Sequence, residues 1–296
     1  MSSSGYNANV RSPERSSGAV AGSPRGHHIF WTYASDDEHR RVLTNFLLEG
    51  LSKGERVCYF GFGGSEERIL AALRGTEANV PDLLRSGRLM AGSAVDGYMP
   101  GGSFDPDARI AGFETLALET LDEGYPGLRV AAETAWLLTD ADAVRAWPAY
   151  ELRADLLTAR LPIVGLCSFD ARGADPAVLA MLASLHRDHV DPATNTSTFR
   201  IHATGSGSLA IEGALDATFA GLGADAIVGA LGDLPAGAID VHGCDVIDAD
   251  GLQAIARLVD AIDARGQAPM LNGVSPAFRR LWARLDLDPS RRAALI

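Results

Sequence analysis

HHIFWTYASDDEHRRVLTNFLLEGLSKGERVCYFGF, residues 27–62, decides the fold class. HHIFWTY (27–33) is rich in aromatic and β-branched residues and reads as a strand. Ser35 and Glu38 then form the Ser-x-x-Glu pattern of a capping box, in which each side chain satisfies a backbone N–H left open at a helix start. The helix carries Val42, Leu43, Phe46, Leu47 and Leu51 at helical spacing and stops at Lys53-Gly54. VCYFGF (57–62) is the next strand. Ser65 is expected to cap a second helix, with Glu66 and Glu67 at the positive end of its dipole.

The alternation continues downstream. LMAG (89–92), LRVAAE (128–133) and LPIVGLCSF (161–169) read as strands; helices are expected from Asp105-Pro106 to about Glu123, over PAYELRADLLTAR (148–160) and over PAVLAMLASLHRDH (176–189). Strands alternating with helices call for a mainly parallel sheet covered on both faces. With 296 residues, two domains are the default. Residues 1–25, rich in Ser, Gly, Pro and Arg, read as a disordered tail, and DPATNTST (191–198) marks the break between units, with 191–197 as the linker.

The second region, 198–296, reads as a smaller α/β unit. Two strands in STFRIHATGSGSLAIEG meet through Gly205-Ser206-Gly207, and a helix from about Asp216 to Leu231 follows. Then come the strand AIDVHG, a helix to about Ala264, the strand APML, and a last helix that Ser275 caps with Pro276 at its first position. Leu252, Ile255, Ala256, Val259 and Ile262 repeat at helical spacing, which puts Asp250 at a helix N-terminus as its expected cap.

A net charge of -12 repels phosphate backbones, and no basic patch offsets it, so nucleic acid is not an expected partner. Cys58, Cys167 and Cys244 are widely spaced and fit a reducing, cytoplasmic setting. No apolar run approaches the ~20 residues that cross a bilayer, and no membrane association is expected. His28, Glu133, Cys167 and His186 are of types that suit zinc. No two of them form a local ligand pair, so neither a metal nor another cofactor is expected. Without a G-x-S-x-G elbow, hydrolase chemistry is not expected either.

The order SLAIEGALDA (208–217), AIDVHGCDVIDADGLQAI (238–255) and NGVSPAFRRLWARL (272–285) resembles the STAS domain of anti-sigma-factor antagonists. Asp248-Ala249-Asp250-Gly251-Leu252 stands where that family has Asp-Ser-Ser/Thr-Gly-Leu. The resemblance implies docking on an anti-sigma factor that is also an ATPase-fold serine kinase. Asp250 replaces the residue phosphorylated there; aspartate carries one charge against about -1.5 to -2 for phosphoserine. Asp248 matches the family's own aspartate and is expected to shape the loop through bonds to backbone N–H groups.

FLLEGLSKGERVCYFGFGGSEERIL (46–70) resembles RecA/KaiC-like ATPases, yet YASDDEHRR (33–41) replaces the phosphate loop with no glycine, no lysine and three consecutive acids. A RecA/KaiC-like fold lacking a P-loop is therefore expected for the first unit. Residues 26–190 resemble the MEDS domain, the sensory module of methanogen and methylotroph regulators. The resemblance rests on His28-Ile29 with Tyr33, Glu49-Gly50-Leu51, Gly54-Glu55, Gly124-Tyr125, Glu133 with Trp136, Tyr150-Glu151, Leu166-Cys167, Phe169-Asp170 and His186. Phe30 stands where that family often has a cysteine. The resemblance implies sensing of a small hydrocarbon-like ligand by a pocket drawn from His28, Tyr33, Glu133, Trp136, Cys167, Asp170 and His186. Together the readings describe a cytoplasmic, non-enzymatic regulator of transcription, compatible with self-association. A divergent nucleotide-binding ATPase and a non-sensing STAS scaffold are the alternatives.

Overall fold

The computed structural model describes residues 26–139, 141–191, 197–204, 208–233, 238–287 and 294–295. The expected tail, most of the expected linker and the Gly205-Ser206-Gly207 turn lie outside them.

Six parallel strands form the first sheet in the order β3-β2-β4-β5-β1-β6. They are β1 (His27–Tyr33), β2 (Arg56–Gly61), β3 (Leu89–Ser93), β4 (Leu128–Glu133), β5 (Ile163–Asp170) and the two-residue β6 (Asp188–His189). One face packs on α1 (Asp36–Ser52), α2 (Ser65–Arg74) and the short α3 (Val80–Arg85). The other carries α4 (Ala94–Tyr98), α5 (Pro106–Asp122), α6 (Ala141–Arg160) and α7 (Pro176–Ser184). Ser35 does cap α1, accepting from Glu38 N–H, while the Glu38 carboxylate reaches back to Ala34 N–H. Gly54, at φ 78°, lets the chain leave that helix and enter β2.

Three expectations are corrected. Ser65 does not cap its helix: Gly64 sits at the N-cap, and the Ser65 hydroxyl turns inward to accept from Phe62 N–H. The last helix of the first unit ends at Ser184 rather than near His189, because Asp188–His189 add to β1 as an edge strand. And α6 begins at Ala141 rather than Pro148, the buried Ala143 and Trp147 extending it upstream.

The second sheet runs β11-β10-β9-β8-β7. The hairpin of β7 (Phe199–Ala203) and β8 (Leu209–Leu215) is antiparallel; β9 (Ala238–Ile247), β10 (Met270–Asn272) and β11 (Ala294–Leu295) join in parallel. Asp216 accepts from Thr218 and Phe219 N–H and so starts a π-helical turn, Phe219–Gly223, that leads into α8 (Ala224–Ala230). The core is closed by α9 (Ala249–Asp263) and α10 (Pro276–Arg284), capped by Ser275 as expected.

α6 belongs to both units. Trp147, Tyr150, Glu151 and Leu157 face the first sheet, whereas Leu152 and Leu156 pack in one apolar cluster with Phe199, Ile201 and Ile227 of the second unit. Two apolar stripes thus bury α6 on two sides, while Arg145 and Arg160 stay on its exposed remainder. Gly229 lies so close to Ala149 that a Cβ there would stand 2.5 Å from the alanine methyl.

Candidate functional site

Side chains of a strand alternate between faces, and this divides the expected pocket residues. Tyr33 is five residues from His28 and Asp170 three from Cys167, so each pair splits across the sheet. The structure places Tyr33, Glu133 and Asp170 together at the carboxyl edge on the α1–α2 side, and His28, Cys167 and His186 beneath α6 and α7. Trp136 joins neither group; it stacks with Tyr98 (5.5 Å), Trp147 (5.3 Å) and Phe104 (5.9 Å) in an aromatic core.

The edge group lines a groove of about 760 Å³ together with Asp36, His39, Arg40, Arg68 and Arg172. Glu133 ends the buried β4 at its floor. Tyr59 O–H donates to Glu133 Oε1, Phe62 N–H to Oε2 at 3.3 Å, and His39 Nε2 stands 3.4 Å from the carboxylate. Burial nonetheless holds the Glu133 carboxyl above its ordinary value, against these hydrogen bonds. Burial, then Arg68, depresses His39 to about 4. Asp170 is the opposite case, held below the usual range by its hydrogen bonds from Arg172, which also meets Asp36 at 2.8 Å.

A carboxyl whose pKa is raised by folding contributes stability that is full below its unfolded value near 4.5 and is lost as pH rises through the folded value. Glu133→Gln removes that dependence. The stability of the wild type relative to this variant is therefore expected to fall as pH rises above the ordinary carboxyl value of 4.5, read by urea unfolding at each pH. A gap that stays flat would contradict the assignment.

The second group is drier. Phe30 pairs in register with Cys167, and His28 shares their face. Helix α6 brings Glu151, which is fully buried, to the same point. Of the four residues whose types suit zinc, His28, Cys167 and His186 come together, whereas Glu133 lies across the sheet and Glu151 stands with the other three. The signal was present in the sequence as a lone carboxylate among Trp147, Tyr150, Leu152 and Leu156 on one helix. Glu151 Oε1 accepts from Trp147 Nε1, while Oε2 stands 3.2 Å from His28 Nε2 and 3.5 Å from His186 Nε2. Cys167 Sγ is 3.3 Å from His28 Nε2. Burial lowers His28 to about 4 and His186 to about 3, and pushes the Cys167 thiol and the Glu151 carboxyl up. In all four, burial disfavours the charged form. Phe30 covers them, with its ring centroid 5.5 Å from that of His186.

Beside His28 and Cys167 opens an apolar pocket of about 40 Å³, lined among others by Phe113, Tyr150, Ala154 and Leu157. An apolar cavity of about 150 Å³ accepts benzene, so this one suits a molecule of a few heavy atoms. Asp155, one turn beyond Glu151, accepts from Ala203 N–H of β7 and lies 3.7 Å from His28 Nδ1.

At the other end of the chain, Asp248 rather than Asp250 caps α9, accepting from Gly251 N–H at 2.9 Å. Asp250 is an exposed residue of the first turn, and Ala249 is half-buried. Leu252 is buried, and Gly251 packs on the Leu215 backbone with no room for a Cβ. Asp248→Ala is expected to cost about 1 kcal/mol, with Asp250→Ala nearly neutral; chemical denaturation of the two variants checks the order.

These features define a two-unit α/β protein whose first unit encloses a pocket of small-molecule size. Residues 27–187 match the model of the MEDS family, described as the MEthanogen/methylotroph, DcmR Sensory domain, and the chain belongs to that family. Its first unit is accordingly a sensory domain with a signalling role. No STAS model matches the C-terminal region, and no curated protein matches the chain. Among the described residues no helix is long and apolar enough to cross a membrane.

Proposed function

We propose that this protein is a cytoplasmic, non-catalytic signalling regulator: a RecA/KaiC-like MEDS unit takes up a small apolar molecule, and a STAS-like unit presents the 248–252 surface to a protein partner. The observation that carries this reading is the shared helix. Tyr150, Ala154 and Leu157 of α6 line the apolar pocket, and Leu152 and Leu156 of the same helix pack in the core of the second unit. A ligand that favours one position of α6 thereby acts on the second unit, provided that its affinity for two positions differs. The STAS-like reading draws on the order of hairpin, parallel strands and helices and on the Asp248–Leu252 junction at the start of α9. Its natural partner class is an ATPase-fold anti-sigma factor or serine kinase.

The test is thermal unfolding of the intact chain with a series of one- to three-carbon alcohols and haloalkanes. Stabilisation growing as RT ln(1 + [L]/Kd) is expected for members that fit, and its loss in Ala154→Leu, which fills the pocket. No response from any member rejects the sensory ligand class. For the second unit, Asp250→Ser is expected to tighten binding to an anti-sigma partner; equal binding by both forms rejects Asp250 as a phosphoserine stand-in.

The carboxyl-edge groove favours a second reading, nucleotide binding, since ligands of parallel sheets bind outside the carboxyl ends of the strands. Thermal stabilisation by magnesium ATP that vanishes on changing Glu133 supports it, and the absence of any shift excludes it.

A further inference from the structure

In the buried group under α6, four side chains of metal-ligating type converge from four separate segments: His28 from β1, Glu151 from α6, Cys167 from β5 and His186 from the turn after α7. Their nearest donor atoms all lie within 4.8 Å of one another. We infer that His28 Nε2, Glu151 Oε2, Cys167 Sγ and His186 Nε2 form a tetrahedral site for a divalent cation of zinc's type.

Three observations carry it. The first is size. A tetrahedron with metal–nitrogen and metal–oxygen bonds of about 2.0–2.1 Å and a metal–sulfur bond of about 2.3 Å has edges of about 3.3–3.6 Å. The measured His28–Glu151, His28–Cys167 and His186–Glu151 separations are 3.2, 3.3 and 3.5 Å. Three of the six edges thus have the length such a cation requires, and all four atoms lie within 4.8 Å of one another, so sub-ångström shifts of the side chains close the shell.

The second is orientation. His186 Nδ1 bonds the Leu182 carbonyl at 2.8 Å, so it carries the proton and Nε2 presents its lone pair to the group. Trp147 Nε1 occupies Glu151 Oε1 and leaves Oε2 directed inward. His28 Nδ1 lies 3.7 Å from Asp155 Oδ1, too far for a hydrogen bond but on the side where a carboxylate would orient a metal-bound imidazole. His186 Nε2 and Glu151 Oε2, though fully buried, have no hydrogen-bond partner among the described residues. Buried polar atoms are as a rule satisfied in folded proteins, and a shared cation satisfies both of these at once.

The third is charge. Two neutral imidazoles, one thiolate and one carboxylate exactly offset a double positive charge, so the filled site is neutral overall and suits a dry interior. The Cys167 S–H proton leaves to solvent as the cation enters, because the thiolate is the ligand. Thiolate and imidazole donors favour zinc over magnesium or calcium. His28 and Cys167 also line the neighbouring apolar pocket, so the cation would sit in its wall.

The test uses the full chain freed of metal by a chelator and titrated with Co²⁺ and Zn²⁺. One cation per chain is expected, with tetrahedral cobalt absorption, a thiolate-to-cobalt charge-transfer band and release of protons to solvent. Cys58→Ser, Cys244→Ser and Glu133→Gln keep the band. Cys167→Ser abolishes it, and His186→Gln weakens binding at least tenfold. If those two variants fail to fold, X-ray absorption of the zinc-loaded wild type decides: one sulfur and three nitrogen or oxygen neighbours support the site, and any other shell overturns it. No stoichiometric binding by folded, metal-free protein, or a band that survives Cys167→Ser, also overturns it.

Discussion

Glu55→Ala is expected to destabilise the protein by about 3–5 kcal/mol, the cost of leaving a buried charge without its partner. The charge belongs to Arg129, which has no solvent exposure in the central strand β4. Its Nε donates to Glu55 Oε2 at 2.7 Å, Glu49 stands 3.5 Å from Nη1, and the guanidinium lies 4.6 Å from the Phe46 ring centroid. Gly50 makes the space: a Cβ there would meet Arg129 Cδ at 2.5 Å. Glu49 keeps its ion pair with Arg129, but that pair is longer and Glu49 is shared with Lys53, so it offsets only part of the loss. The double variant Glu55→Leu/Arg129→Met is expected to recover most of the loss, since a buried pair replaced by apolar groups of similar volume is often neutral. Urea unfolding of the three proteins measures this; a loss below about 1 kcal/mol in Glu55→Ala would mean that the interior at Arg129 is wetter than its burial implies.

The second large effect concerns the contact between units. Leu156→Ala removes a side chain of 2% exposure from the core that α6 shares with β7, β8 and α8, and is expected to cost about 2–5 kcal/mol. The greater consequence is for cooperativity. The wild type is expected to unfold in one transition, because the second unit cannot separate without exposing this surface, and the variant in two. Leu43→Ala, at an equally buried site on the far side of the first sheet, serves as the control and keeps a single transition. Two resolved transitions in the wild type would break the link on which the proposed signalling depends.

Much of this was legible in the sequence because local signals agreed with the global fold. The Ser35 capping box, Asp105-Pro106 and Ser275-Pro276 each set a helix start where the structure has one. Ser65 misled because its hydroxyl had a stronger use inside, beside Tyr59 and Phe62. The α6 start was missed because Pro148 looks like a first helical position although the helix runs through it. The site was only half legible. The counting rule for strands already separates Tyr33 from His28 and Asp170 from Cys167, and applying it would have divided the pocket residues correctly. Glu151 was harder: nothing local shows that α6 crosses His28, since that contact joins residues 123 positions apart. The Asp250 cap was a one-turn ambiguity between two aspartates, settled by the extended backbone at Asp248.

Because α6 lies upstream of the break at 191–197 and yet helps to close the second core, the genetic boundary and the folding boundary of the C-terminal unit do not coincide. A gene fragment starting at residue 198 would encode a body with one wall missing, showing Phe199, Ile201 and Ile227 to water. Recombination that joins this sensory unit to another output module must therefore bring a module shaped to the outer stripe of α6, or change Leu152 and Leu156 with it. The two halves are bound to evolve as a matched pair.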